Sequence, residues 1–277
     1  SISRGAALAQ LAVGAASKRI SDLEAAVGTE LFSRHSRGVK LTAAGQALLR
    51  HARRILSDVD ALAADLSDHA EGVVGVVRLW AITSAITQFL PDGLASFSFR
   101  HPGVRLELHE SDSGECAKAV ADGRADIGIF AERTPAPGLQ TLRFRRDRLV
   151  LVVPAGHPLA GRRRMRFADA AEHDFVSLPQ NTSLAQRLGE ESARLGRTLH
   201  VRVHVRSFDA MCRMVAAGMG IAVLPDAAIE PHLRSMGLKR IALQDAWAER
   251  ELLIGARDLG SLPRPVRSLL DHLADPS

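Results

Sequence analysis

The chain has 277 residues, a formal net charge of +5, 46% apolar residues and only 4% aromatic ones, with no tyrosine. That length and apolar content suit one small and one larger packed domain, while no apolar run approaches membrane-span length and no signal peptide is visible in the sequence as it starts. The two cysteines, Cys116 and Cys212, argue against a disulfide framework and fit a reducing, cytoplasmic compartment. From the start of the chain, Ser3 is placed to cap a short Ala-rich helix running to about Leu11, a tight connection covers Ala12 to Gly14, and a second helix runs through Val27 to close at Gly28. Along that second helix Ala16, Ile20, Leu23 and Val27 repeat at helical spacing toward a core, while Ser17, Lys18, Ser21 and Asp22 point away and can enter a groove.

Beyond Gly28, Leu31 and Phe32 anchor a short strand, and Arg34, His35, Arg37 and Lys40 with Gly38 form a basic two-stranded wing suited to a phosphate backbone. This order is that of a winged helix-turn-helix. The competing reading is a small helical domain with ordinary solvated charge. The stretch Ser1 to Gly45 resembles the N-terminal domain of LysR-type transcriptional regulators. The resemblance implies base or backbone contacts from Val13, Ser17 and Lys18 and phosphate contacts from Arg34 and the wing, Arg37 and Lys40 included. Two departures from the family stand out. The family's opening helix is absent, so the chain reads as N-terminally truncated and Ala6, Leu11 and Ile20 lack a packing partner. Ala12-Val13-Gly14 also replaces the usual Ser-Gln-Pro, removing an amide able to pair with adenine.

Thr42 is placed to cap a long helix in which Gly45, Leu48, Ala52, Ile55, Val59, Leu62 and Leu66 step by three and four, with Arg50, Arg53, Arg54, Asp58, Asp60 and Asp65 outside the seam. The pattern predicts a coiled-coil homodimer through this linker helix, against the alternative of a helix packed on its own domain. A dimer would set two reading helices at fixed spacing on dyad-symmetric double-stranded DNA. The resemblance extends this to a homotetramer.

Gly72 and Gly75 then break the helical pattern and β-branched residues take over. Val76–Ile82 and Val104–Glu110 read as strands, separated by a helix over 84–99 in which Pro91 marks a bend or a start; strands and helices taking turns predict an open α/β sheet. Ala119–Phe130 and Met214–Pro225 echo one another as helix end, glycine turn and short apolar strand, which implies two similar lobes. Leu149–Pro154 and Val201–Arg206 are expected strands of the second lobe, and Glu251–Ala256 returns the chain to the first before a last helix at Val266–Leu273. Together with Gly156-His-Pro-Leu-Ala and Phe97-x-x-Arg-His-Pro-x-Val-x-Leu, this resembles the two-lobed, periplasmic-binding-protein-like (type 2) effector domain of the same family. The expected fold class is therefore α plus α/β. The expected divisions are a winged helix-turn-helix over 1–41, a linker helix over 42–71 and an effector domain over 72–277, with lobe I at about 73–146 and 251–277 and lobe II at about 147–250.

In such a sheet, ligands sit at the carboxyl ends of strands beside helix N-termini. The matching junctions here are Thr83 and Ser84, Asp112 and Ser113, Pro179 to Ser183, and Arg206 to Asp209. Hydroxyls, amides and helix N-termini suit a small anion, and the resemblance places effector contacts at Ser84, Ser113, Asn181, Thr182, Ser207 and Phe208, with Thr83 beside them. Each hydroxyl can equally be a helix cap. Asp112 and Asp209 would repel an anion unless they cap or point away.

No Gly-x-Ser-x-Gly, His-Glu-x-x-His, Gly-Lys-Ser/Thr or Gly-x-Gly-x-x-Gly pattern marks an enzyme, and neither cofactor nor metal is called for. His200 and His204 share a face without a third ligand. Arg162, Arg163, Arg164 and Arg166 read as a solvated loop rather than a second nucleic-acid surface. Cys116 and Cys212 each sit one turn beyond a predicted helix start facing the cleft; buried structural thiols are favoured over oxidant sensors. The expected function is a cytoplasmic, sequence-specific transcriptional regulator controlled by a small, anionic effector. The alternatives are a solute-binding protein, which leaves Ser1 to Leu66 without a role, and a cytoplasmic α/β enzyme on the same scaffold.

Overall fold

Ser1, not Ser3, starts the first helix: its hydroxyl accepts the Arg4 N–H at 3.3 Å, and α1 covers Ile2–Leu8. Gln10, at φ 53°, reverses the chain, and α2 (Val13–Val27) ends in left-handed Gly28, the conformation glycine adopts most readily. The computed structural model describes residues 1–35, 38–52, 55, 56, 59 and 75–274. They fall into two units, Ser1–Ala64 and Asp65–Ser277.

In the first unit, β1 (Phe32–His35) and β2 (Gly38–Leu41) pair antiparallel with Phe32 opposite Leu41 and Arg34 opposite Val39. Thr42 caps the next helix, α3 (43–52), accepting the Gly45 N–H at 3.0 Å while donating to the Glu30 carbonyl at 2.8 Å. A Cβ on Gly45 would collide with the Leu31 carbonyl oxygen, so this glycine sets how closely α3 approaches the hairpin. Helix α2 has no buried residue, and Leu8, Leu23 and Val27 are exposed. Of the face expected to pack, Leu23 and Val27 are thus exposed and Ala16 and Ile20 only half-buried. Ile55 and Val59 of the heptad seam are also exposed, whereas Leu62 and Leu66 lie outside the described residues, as do Arg53, Arg54, Asp58, Asp60, Asp65 and the glycine break at Gly72.

The second unit is built on β3 (Gly75–Ala81), β4 (Val104–Glu110) and β5 (Ile127–Ala131), with α4 (Thr83–Gln88), α5 (Leu90–Arg100) and α6 (Ser113–Ala121) between them. Pro91 lies in the first turn of α5, where its missing N–H costs nothing. The chain then enters β6 (Gln140–Pro154), fifteen residues long, rather than the short strand expected from Leu149. There follow β7 (Arg164–Met165), α7 (Phe167–Ala170), β8 (Phe175–Ser177), α8 (Ser183–Arg194), β9 (Val201–His204), α9 (Phe208–Ala216), β10 (Ala222–Pro225), α10 (Asp226–Ser235), β11 (Leu238–Leu243), β12 (Glu249–Ala256) and α11 (Arg264–Ala274).

The main sheet runs β4-β3-β5-β12-β6-β11-β7, with β10 also paired to β6 and a parallel β8-β9 pair apart. Strand β12 pairs antiparallel with the first part of β6, from Gln140 to Arg148, and the two cross between two apolar cores. One core holds Leu79, Phe97, Ile127, Phe130, Leu252 and Leu269; the other holds Leu151, Phe167, Phe175, Leu188, Met211 and Ile241. The internal echo has a shared backbone basis, because Gly123 after α6 and Gly218 after α9 both stand at positive φ, 81° and 76°.

Candidate functional site

In the first unit, the residues expected to meet DNA occupy one helix and one hairpin. Val13 is half-exposed in the first turn of α2, Ser17 is half-buried and Lys18 is exposed. Glu24, near the end of the helix, accepts the Leu31 and Phe32 N–H groups at 2.8 and 3.1 Å. That carboxylate fixes the start of the wing to the reading helix. Lys40 is exposed on β2 opposite Ser33, Arg34 stands on β1, and Arg37 lies outside the described residues.

In the second unit, the chain leaves β3 and β4 directly into the first turns of α4 and α6, and the segments before α8 and α9 come to the same place from the other lobe. The result is a cleft of about 490 Å³ lined by Thr83, Ser84, Ser113, Asn181, Thr182 and Phe208 among others. Ser207 is not part of this lining; its hydroxyl caps α9 on the Ala210 N–H at 3.2 Å. Thr182 likewise caps α8, through the Ala185 N–H at 3.3 Å, while lining the cleft.

The charges that would repel an anion are largely committed. Asp112 caps α6 through the Glu115 N–H at 3.0 Å and accepts Asn181 Nδ2 at 2.8 Å, a hydrogen bond that spans the two lobes. Glu110 accepts the Thr83 hydroxyl at 2.6 Å. Asp209 turns from the cleft to Arg213 at 2.8 Å, and that guanidinium holds its carboxyl below the usual range. Arg206 is the one cation lining the cleft among the described residues. A second chamber of about 400 Å³ adjoins, sharing Asp112, Ser113 and Asn181 with the first.

Ser84 carries a connection that the sequence does not announce. Its hydroxyl oxygen accepts Arg250 Nη2 at 2.8 Å, and the same guanidinium grips Asp147 bidentately at 2.5 and 2.6 Å. Gln88 Nε2 reaches both the Ser84 carbonyl at 3.0 Å and Asp147 at 3.2 Å. Arg250 and Asp147 face each other across β12 and β6, where the strands pass between the lobes. Because Ser84 accepts from a cation, its own proton remains to be donated, and hydrogen bonding in series strengthens such a donor.

Both cysteines are buried in separate cores, Cys116 in the first and Cys212 in the second. Burial pushes the Cys116 thiol up to about 12 and the Cys212 thiol up to about 11, with the carboxylates of Asp112 and Asp209 adding to it. The oxidant-sensor alternative needs a lowered thiol pKa, so the helix starts are outweighed here by desolvation. His204 Nδ1 lies 3.2 Å from the Leu178 carbonyl, and no cluster of metal-ligating side chains occurs among the described residues.

A winged helix-turn-helix and a two-lobed domain with a polar cleft, in one chain, define a DNA-binding regulator with a ligand-binding half. Residues 1–46 match the family model described as bacterial regulatory helix-turn-helix protein, lysR family, and residues 70–276 match that of the LysR substrate binding domain. The chain belongs to the LysR family of transcriptional regulators. It is 26% identical over 246 residues to a probable RuBisCO transcriptional regulator of Trieres chinensis, covering 86% of this chain and 80% of the relative. It is 27% identical over 229 residues to a probable hydrogen peroxide-inducible genes activator of Mycobacterium avium, covering 82% and 74%. The fold matches full-length CbnR complexed with its target DNA at TM-score 0.62 and 19% identity, over 99% of this chain and 93% of that one. It also matches the effector-binding domain of QuiR in complex with shikimate at TM-score 0.64 and 16% identity, over 72% and 95%.

Proposed function

We propose that this regulator binds a small anionic effector in the cleft between its lobes, through Thr83, Ser84, Ser113, Asn181, Thr182 and Phe208, with Arg206 as counter-charge. The observation that carries this reading is Ser84: held by Arg250, its hydroxyl has a proton to give and stands beside the first turns of α6 and α8, whose backbone N–H groups favour negative charge. Ser207 supports the site from behind as the cap of α9. DNA contact by Val13, Ser17, Lys18, Arg34, Arg37 and Lys40 is supported by their common placement on α2 and the wing, with Arg37 argued from sequence alone. The linker helix over 42–71 pairs two chains on a dyad-symmetric operator, and two such dimers form a tetramer; the exposed Ile55 and Val59 seam supports the pairing.

The protein works in the cytoplasm, where its DNA is, and as a switch rather than a catalyst. The effector acts by binding two arrangements of the assembly with different affinity, since equal affinity shifts nothing. The test is protection of the protein's own upstream intergenic DNA at fixed salt, with and without candidate carboxylates and phosphorylated acids, in the wild type and in Ser84→Ala. The expected result is unchanged operator affinity with a weakened effector response in the variant. An effector titration that Ser84→Ala leaves unmoved overturns the assigned site.

A further inference from the structure

The arginine run at 162–166 has no role in DNA or effector binding as described, and in the fold it does not stand alone. The loop carrying Arg162 and Arg163 lies beside Arg148 of β6 and Lys239 and Arg240 of β11, and these five residues line one groove of about 470 Å³. Arg148 and Arg240 share the sheet face of Val150 and Ala242, whereas Lys239 alternates to the other face of β11. Asp226, at the start of α10, lines it too, but it is occupied with Arg240 at 3.0 Å, and Glu230 holds the same guanidinium at 2.6 Å. None of Arg148, Arg162, Arg163 and Lys239 has an ion-pair partner among the described residues. The groove is low in the middle because small residues form it: Ala242 stands between Val150 on β6 and Arg164 on β7, with Ala160 and Gly161 at the rim.

Arg148, Arg162 and Arg163, without an ion-pair partner among the described residues and drawn from two separate segments, stand around one concavity and focus a positive potential where a ligand would sit, with Glu249 opposite Arg148 in the pairing of β12 with β6. The loop closes over the sheet where Arg148 stands on the same face as Val150 and Ala242, so its arginines and that of β6 border one space. Guanidinium forks match carboxylate and phosphate oxygens two at a time, and three guanidinium groups from the loop and the sheet suit a ligand with more than one anionic group. The volume is that of a small-molecule site, whereas a duplex backbone calls for an extended row of contacts. We propose that this groove on lobe II is a second ligand site, separate from the interlobe cleft, which takes a compact polyanion bearing two or more phosphate or carboxylate groups.

Isothermal titration of inorganic pyrophosphate into the full chain at low ionic strength tests this. Three variants accompany the wild type: Arg162→Gln with Arg163→Gln in the groove, Arg206→Gln in the cleft, and Arg143→Gln with Arg146→Gln as an equal change of charge elsewhere on the surface. The expected result is a binding event that is weakened about tenfold or more in the groove variant and unchanged in the other two. Absence of binding overturns the proposal. So does equal weakening in the surface control, which would mean a diffuse field, or loss only in the cleft variant. A groove variant that binds pyrophosphate normally but has lost affinity for mixed-sequence duplex DNA overturns it as well, by making the groove a nucleic-acid surface.

Discussion

Replacing Arg250 by methionine removes a guanidinium that is 8% exposed and makes two hydrogen bonds to Asp147, itself 1% exposed, and one to Ser84. Asp147 is then left in the interior with only the Gln88 amide at 3.2 Å. Stranding one partner of a buried ion pair costs about 3–5 kcal/mol. In a domain of this size each kcal/mol moves the melting temperature by roughly 2–4 °C, so the variant is expected to melt roughly 6–20 °C below the wild type. Urea and thermal unfolding followed by tryptophan fluorescence read this in both lobes at once, since Trp80 packs on one core and Trp247 on the other. The double variant Asp147→Leu with Arg250→Met removes both charges and is expected to regain most of the loss, because a well-packed apolar pair replaces an ion pair at little net cost. If Arg250→Met melts within about 2 °C of the wild type, or if the double variant is as unstable as the single one, the network is not the structural link described.

The raised thiols predict that neither Cys116 nor Cys212 in the native chain reacts with an alkylating agent at pH 8, while both react in denaturant; thiol mass analysis reads the difference. Both groups keep their protons to higher pH when folded, so their contribution to stability is full below the ordinary value of 9.0 and is lost as pH rises toward about 11 for Cys212 and about 12 for Cys116. Gly45→Ala is expected to force α3 away from the Leu31 carbonyl at a cost of about 1–3 kcal/mol, measured as weakened DNA binding with the melting of the second unit unchanged. Substituting Lys18 or Lys40 by alanine should weaken DNA binding and lower the salt slope by about 1 where the lost contact is to phosphate; an unaltered slope for both places them off the backbone. Asn181→Leu removes the hydrogen bond between the lobes, and faster amide exchange at 112–116 and 181–185 is the expected sign.

Where local chemistry dictates backbone, the sequence was readable. Gly28, Gly123 and Gly218 mark turns that need positive φ, and the alternation of Val104 to Glu110 gives β4 its observed bounds. Cleft-lining residues followed from topology, because helix starts after parallel strands converge on one edge. The first half of β6 was hidden, since Arg143, Arg145, Arg146, Asp147 and Arg148 interrupt apolar alternation and only the sheet context makes them strand. Ser1 took the cap assigned to Ser3 because two serines two residues apart satisfy the same local rule. Arg250 left no local trace: its partners are 103 and 166 residues away, and an arginine in a strand ordinarily reads as an exposed side chain.

The two passages of chain between the lobes are not linkers but β6 and β12, hydrogen-bonded to each other from Gln140 to Arg148 and from Glu249 to Ala256. Their pairing skips Phe144, where the register shifts between Leu252 and Leu253, and such a bulge adds local twist to the ribbon. A joint of this kind has no slack to take up and no chain entropy to release. It yields as a torsion spring does, by winding or unwinding a few degrees, so that a molecule seated between the lobes would register as torque carried along the paired strands to both ends of the domain.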